Sequence, residues 1–201
     1  MTLTPAALKR MIGKDQLFLA EHDGAFYATN KYWVVPTASI WPLLAKFNID
    51  ANATGTYDVN GTITKAASDY APSVGRFLNL ADYDVATERV MAAGREAFAH
   101  DNANGFYALF RRENGGSHFG IRADWLEWLT EPPESYGERF SNVRLMGSEK
   151  PVGPVAIVAD RETKHGGHRD TSTDEYRWIP ETWEPAGQVL LAVLMPIKIK
   201  G

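Results

Sequence analysis

The 201-residue sequence has no cysteine. Disulfides, thiolate metal sites and cysteine nucleophiles are therefore excluded, and the composition fits a reducing cytoplasm, the expected location. Long apolar runs are also missing. The longest, Val189–Met195, falls far short of the ~20 residues that span a bilayer, so no membrane partner is expected. Met1–Ile12 carries Lys9 and Arg10 and no apolar core, so it does not read as a signal peptide. Positive charge is in short supply: 21 Lys and Arg stand against 25 Asp and Glu, a net charge of -4. That argues against a chain coated for nucleic acid, but a few cations gathered on one face would still create a local field. Catalytic signatures are absent too. There is no Gly-x-Ser-x-Gly elbow, no phosphate loop and no dinucleotide fingerprint; this is weak evidence against an enzyme, because scattered carboxylates can still converge in space, and neither catalysis nor a cofactor is expected.

What remains is an ordinary globular balance, 44% hydrophobic and 23% charged, enough for one large domain or two small ones. Thr4-Pro5 opens a helix to Ile12, with Leu8, Met11 and Ile12 on one stripe and Gly13 at its end. Leu17–Ala20 and Ala25–Val35 read as strands joined through Asp23-Gly24. Thr37–Phe47 reads as an amphipathic helix with Ile40, Leu43, Leu44 and Phe47 inward. Gly55–Val59 and Thr62–Ala66 read as a hairpin. Asp69–Leu80 lacks periodicity and is the expected crossover between two halves, 1–79 and 80–201.

Asp84–Ala99 reads as a helix with Val90, Met91, Gly94, Ala97 and Phe98 on its apolar side. Phe106–Arg112 and Ser117–Ile121 form a strand pair, and Ala123–Leu129 a short helix. Asn142–Met146 and Val155–Ala159 are strands. Arg161–Pro185 is polar and rich in turn residues, an expected exposed loop. Gln188–Lys200 is the last strand, apolar through Met195 and then broken by Pro196, which cannot donate to a ladder.

Several residues invite chemistry. His165 and His168 could share an ion only with further ligands, and their polar, Gly-rich surroundings favour a solvated loop instead. His22, His100 and His118 sit at turns or element ends, as surface histidines do. Trp41, Trp125 and Trp128 lie among apolar residues and read as core. Trp178 and Trp183 lie in the polar segment, as partner anchors or as pins for it. Lys9, Arg10, Lys46, Arg89 and Arg95 lie on expected helices, where they could contact phosphate without reading sequence; taken alone, they read better as an ordinary solvated helix face. No residue is expected to be catalytic or to bind metal.

The last strand, Val193-Leu194-Met195-Pro196-Ile197-Lys198-Ile199, resembles the end of the bacterial-type DNA polymerase sliding clamp. Similar stretches follow in the clamp's order. Leu3-Thr4-Pro5 with Leu8–Ile12 resembles the start of its middle domain. Tyr27-Ala28-Thr29-Asn30 resembles its strand-end motif, from which Lys31, Tyr32 and Trp33 depart. Tyr70–Val74 with Phe77-Leu78 resembles its interdomain linker, and Ile121–Leu126 and Asn142–Leu145 resemble later elements.

The resemblance implies an α+β fold of two DNA-clamp domains, residues 1–79 (shortened) and 80–201, with curved antiparallel sheets outside and helices inside. It implies a replication processivity factor that encircles duplex DNA through Lys9, Arg10, Lys46, Arg89 and Arg95. It implies a pocket for short linear motifs of DNA polymerase and clamp loader, formed by Thr29, Val34, Pro72, Phe77, Val193, Met195, Pro196 and Ile197. A homo-oligomer follows, a trimer if six domains close the ring. The competing expectation is an interaction protein of the same fold, a decoy or mixed-ring subunit, that captures replication peptides without encircling DNA. A third is a small metal enzyme at His165 and His168.

Overall fold

The structure, a computed structural model, describes residues 4–13, 16–60, 62–67, 70, 72–92, 95–96, 98–101, 105–113, 118–123, 125–126, 138–149, 153–170, 177–179 and 181–198. The fold is α+β and largely antiparallel sheet. The first half runs α1 (Pro5–Ile12), β1 (Leu17–His22), β2 (Ala25–Thr29), β3 (Trp33–Pro36), α2 (Trp41–Lys46), β4 (Gly55–Asn60) and β5 (Thr62–Lys65). The second runs β6 (Val85–Arg89), β7 (Met91–Ala92), β8 (Arg95–Glu96), β9 (Phe98–Asp101), β10 (Gly105–Arg112), β11 (Phe119–Arg122), β12 (Glu138–Gly147), β13 (Val155–His165), β14 (His168–Asp170), β15 (Arg177–Ile179), β16 (Thr182–Leu194) and β17 (Ile197–Lys198).

The first helix forms for the reasons its sequence suggests. Thr4 Oγ1 accepts from the Ala7 N–H at 3.1 Å, and Gly13 closes the helix at φ 70° by donating to the Lys9 carbonyl at 2.9 Å. Such a φ strains a residue with a Cβ. α1 buries Ala7, Leu8, Met11 and Ile12.

One sheet runs β17-β11-β10-β6-β12-β13-β16-β3-β2-β1-β4-β5, with β9 also paired to β10. β16 joins the first half to the second by pairing Val193 with Val34 and Leu194 with Trp33. Only Met195 and Pro196 separate β16 from β17, yet β17 pairs with β11 at the far end of the path. The second-half strands therefore curl back on themselves. Register shifts at Asn142 and Val143, between Val158 and Ile157, and near Gly187 supply local bends.

The central strands are apolar on both faces because both faces are covered. Leu17, Leu19, Trp33, Val35, Val155, Ile157 and Leu194 face a core shared with α1, α2 and Trp125. Ala20, Val34, Ala156, Val158 and Val193 face the other way, onto a second cluster. That cluster is closed by the crossover segment, through Val74, Phe77, Leu78, Leu80 and Tyr83. Burial of alternate residues to opposite sides is the period-2 geometry of a strand.

Several sequence expectations need correction. The helix expected over Asp84–Ala99 is instead β6 followed by short strands. β6 lies between β10 and β12, where Thr87 Oγ1 also donates to the Leu145 carbonyl at 2.9 Å. The ladder offered on both sides outweighs a local helical pattern. Gly94 and Ala97 of that pattern lie outside the described residues. The loop expected over Arg161–Pro185 is largely strand: β13 runs on to His165, and β16 starts at Thr182. Its polarity is met by cross-strand ion pairs, Arg139 with Glu162, Arg161 with Glu138 at 3.7 Å and Lys164 with Glu181 at 2.7 Å. The strand expected over Ala25–Val35 is split at Asn30–Tyr32 into β2 and β3. Trp41, expected in the core, is 57% exposed.

The helix expected over Thr37–Phe47 is a 3-10 turn at Thr37–Ser39 followed by α2. Of Ala123–Leu129, Ala123, Trp125 and Leu126 are helical and the rest, with Trp128, lies outside the described residues. Among the described residues no helix is long and apolar enough to cross a membrane.

Candidate functional site

The crossover segment lies across the sheet as a strap, and a cavity opens beside it. Tyr70 sets its ring edge-on against Phe18 at 5.9 Å between centroids, and Thr56 Oγ1 donates to the Tyr70 carbonyl at 2.5 Å. Val74 is buried beneath the segment. Gly75 approaches so closely that a Cβ there would meet the His22 ring at 2.5 Å. Tyr83 Oη donates to the Phe77 carbonyl at 2.8 Å, and burial, with Asp82 nearby, pushes the Tyr83 phenol up to about 12.

The cavity holds about 230 Å³ and is walled by Tyr27, Val34, Pro36, Leu78, Val189 and Leu190. Its floor comes from β2, β3 and β16, and Leu78 of the strap forms one side. The lining side chains are apolar except for the Tyr27 phenol, whose pKa is raised by burial and by Asp23, and backbone polar groups face the cavity between them. That phenol stays protonated at neutral pH and can donate one hydrogen bond. The chemistry on offer is capture of an apolar side chain; no nucleophile or acid–base pair lines the cavity.

The expected pocket residues are only partly united. Thr29, Val34 and Val193 form one cross-strand row, Thr29 opposite Val34 and Val34 opposite Val193. Phe77 packs on the same cluster as Val34 and Val193. Of the eight, Val34 lines the cavity itself. Met195 and Pro196 lie at the opposite end of β3, where the Met195 N–H donates to the Tyr32 carbonyl at 2.7 Å. Ile197 belongs to β17 and pairs with Gly120. Pro72 is half-buried in the crossover. Sequence reasoning passed over Tyr27, Pro36, Val189, Leu190 and Leu78 as walls. The apolar run from Val189 contained a signal for two of them, but which end of the run is uncovered depends on where the strap crosses.

The basic residues separate into two groups. Lys9 and Arg10 lie on α1 and Lys46 on α2, and Lys9 Nζ stands 5.5 Å from the Phe47 ring centroid, which sets the two helices side by side. Arg89 lies on β6 opposite Phe110, and Arg95 on β8 opposite Ala92. These two are strand residues, not helix residues as expected; the Arg95 side chain lies outside the described residues.

His165 is exposed at the end of β13, 3.2 Å from Thr163 Oγ1 and 3.8 Å from Glu184 Oε2. His168 opens β14, its side chain outside the described residues. No three His, Asp or Glu residues converge as a metal cluster among the described residues. Trp183 pins the polar ribbon, with the Arg139 guanidinium 4.9 Å from its ring and its Nε1 donating to Glu181 at 3.1 Å.

A second, wider cavity of about 580 Å³ lies between the strap and the end of β12, lined by Arg76, Tyr83, Asp84, Ser148 and Glu149 among others. Behind it, Arg112 is buried and donates to the carbonyls of Ser148 at 2.8 Å and Gly153 at 3.0 Å.

Comparison with family models, with curated proteins and with solved structures finds no match for this chain.

Proposed function

We propose that this chain is a sliding-clamp-like processivity factor, a self-associating tether that surrounds duplex DNA and seats a short peptide of a polymerase in the apolar cavity beside the strap. The observation that carries this reading is the cavity at Tyr27, Val34, Leu78 and Leu190. It lies on the sheet face opposite the helices that carry Lys9, Arg10 and Lys46. A peptide site and a cationic helical layer on opposite faces suit a protein that holds DNA on one side and a partner on the other. The sheet path ends on the edge strand β5, which suits assembly of copies, and a trimer of two-domain chains is the proposed ring.

A second reading has its own support. Arg89 and Arg95 stand on strands, which leaves the helices with fewer cations than expected. On that reading the chain binds replication peptides without encircling DNA.

The test has two arms. A fluorescein-labelled peptide carrying Leu and Phe anchors is titrated by anisotropy against wild type, Leu78→Glu and Leu190→Ala, with folding checked by circular dichroism. Both variants should weaken binding roughly tenfold, ~1.4 kcal/mol. Unchanged affinity in both would remove the pocket. Retention on closed circular DNA, with release on linearisation, is expected of the tether. Peptide binding with no retention selects the second reading, and a strictly monomeric chain by light scattering counts against any ring.

A further inference from the structure

β16 is bordered unevenly. On one side β13 pairs with it from Thr182 to Leu194. On the other, among the described residues, β3 meets it only at Val193 and Leu194. Two features end that second ladder. Leu191 is an extra residue opposite Ile157 and Val158, a bulge that bends the strand. Pro36, at the end of β3, has no N–H to donate. The sheet therefore forks between β3 and β16, and the cavity of about 230 Å³ sits in the fork.

Main chain borders this cavity as well as side chains. Val34, Leu78 and Leu190 belong to the strap-side cluster and line it directly. Val189 and Ala192 line it too, yet their side chains pack into the core on the other face, so they border it through backbone. A strand paired on one side only turns the N–H and C=O of alternate residues outward. Farther along β16 that edge is guarded. Glu184, Pro185 and the bulge at Ala186–Gly187 discourage pairing there, and Arg161 already donates to the Ala186 carbonyl at 3.4 Å. Gln188–Leu190, beside the cavity, carries neither charge nor proline and is exposed to half-buried.

We propose that the fork captures its peptide as an added strand: an extended segment hydrogen-bonded to the β16 edge at Gln188–Leu190, with one apolar side chain in the cavity. The proposal rests on the pocket reading and adds to it the conformation of the partner. The cavity is smaller than the ~300–1,000 Å³ of a drug-sized site, which suits a single anchor and leaves the rest of the affinity to the main chain. A helical motif would keep its N–H groups to itself and leave the β16 edge unmet.

The experiment titrates, by anisotropy, the labelled peptide carrying Leu and Phe anchors and two analogues of it. The analogues are N-methylated on alternate residues, one set shifted by a single residue from the other, so that every side chain is kept. An added strand aims alternate N–H groups at β16 and the others away from it. One analogue should therefore bind at least tenfold more weakly than the parent, and the other within twofold of it. Equal affinities for the two analogues, whether unchanged or weakened alike, overturn the added strand and leave the pocket standing. A parent peptide that does not bind overturns both.

Discussion

Asn30 Nδ2 donates to the Met11 carbonyl at 3.0 Å and so ties the end of α1 to the turn between β2 and β3. The same side chain accepts from the N–H groups of Tyr32 at 3.0 Å and Trp33 at 3.2 Å. Trp33 Nε1 donates to the Met11 carbonyl as well, at 3.2 Å. Asn30 is 1% exposed, so these groups have no water to turn to.

Asn30→Ala should therefore cost ~2–4 kcal/mol, the penalty for leaving buried polar groups unmet. Asn30→Asp should be no milder, because it removes the donor and points a carboxylate at carbonyls. Urea denaturation followed by tryptophan fluorescence measures both. A loss below half a unit in either would show that the bracket contributes little.

Arg112 should resist conservative replacement. Its two NH groups reach the separate carbonyls of Ser148 and Gly153, a fork that a lysine ammonium cannot reproduce. Burial lowers its pKa, and the cation is held by the loop it organises. Arg112→Lys and Arg112→Met are both expected to destabilise by about 2–4 kcal/mol. A thermal midpoint for Arg112→Lys equal to wild type would remove the fork from the account.

Asp160 should make stability fall in acid. Hydrogen bonds from Asn142 and then Arg144 hold its carboxyl below the ordinary value, despite a smaller opposing effect of burial. A folded pKa below the unfolded one means that the unfolded chain binds more protons between the two. The contribution is therefore complete above the unfolded value of ~3.9 and is lost as pH falls through the folded one. Thermal midpoints of Asp160→Asn should fall less steeply below about pH 4 than those of wild type. Parallel curves would assign the acid sensitivity elsewhere, with Glu181, held low chiefly by Lys164, the next group to replace.

The strap should depend on Val74. This residue is 3% exposed and lies in the cluster between the crossover and the sheet. Val74→Ala should cost on the order of 2 kcal/mol. Val74→Asp should free the segment, with faster proteolytic cleavage around residues 72–83 and weaker capture of the apolar peptide. Cleavage at the wild-type rate, with the fold intact by circular dichroism, would separate strap from pocket.

The local elements were readable wherever short-range chemistry decides. Thr4-Pro5 and Gly13 bound α1 as expected, β4 and β5 pair as a hairpin, and Pro196 marks the break between β16 and β17. The apolar run ending at Met195 correctly announced a strand covered on both faces. The cavity was not readable residue by residue. Val34 was named from sequence, but Tyr27 and Leu78 come from segments whose meeting depends on the path of the strap.

By itself, then, the sequence determined caps, turns and the alternating burial of the central strands, because these depend on side chains within a few residues of one another. Tertiary structure decided the rest. It made Val85–Arg89 a strand by offering ladders from β10 and β12, against a local pattern that favoured a helix. It made Arg161–His165 and Thr182–Pro185 a ribbon by pairing their charges across strands. It left Trp41 outside the core, because on so short a helix Leu43 and Leu44 already fill the inward face.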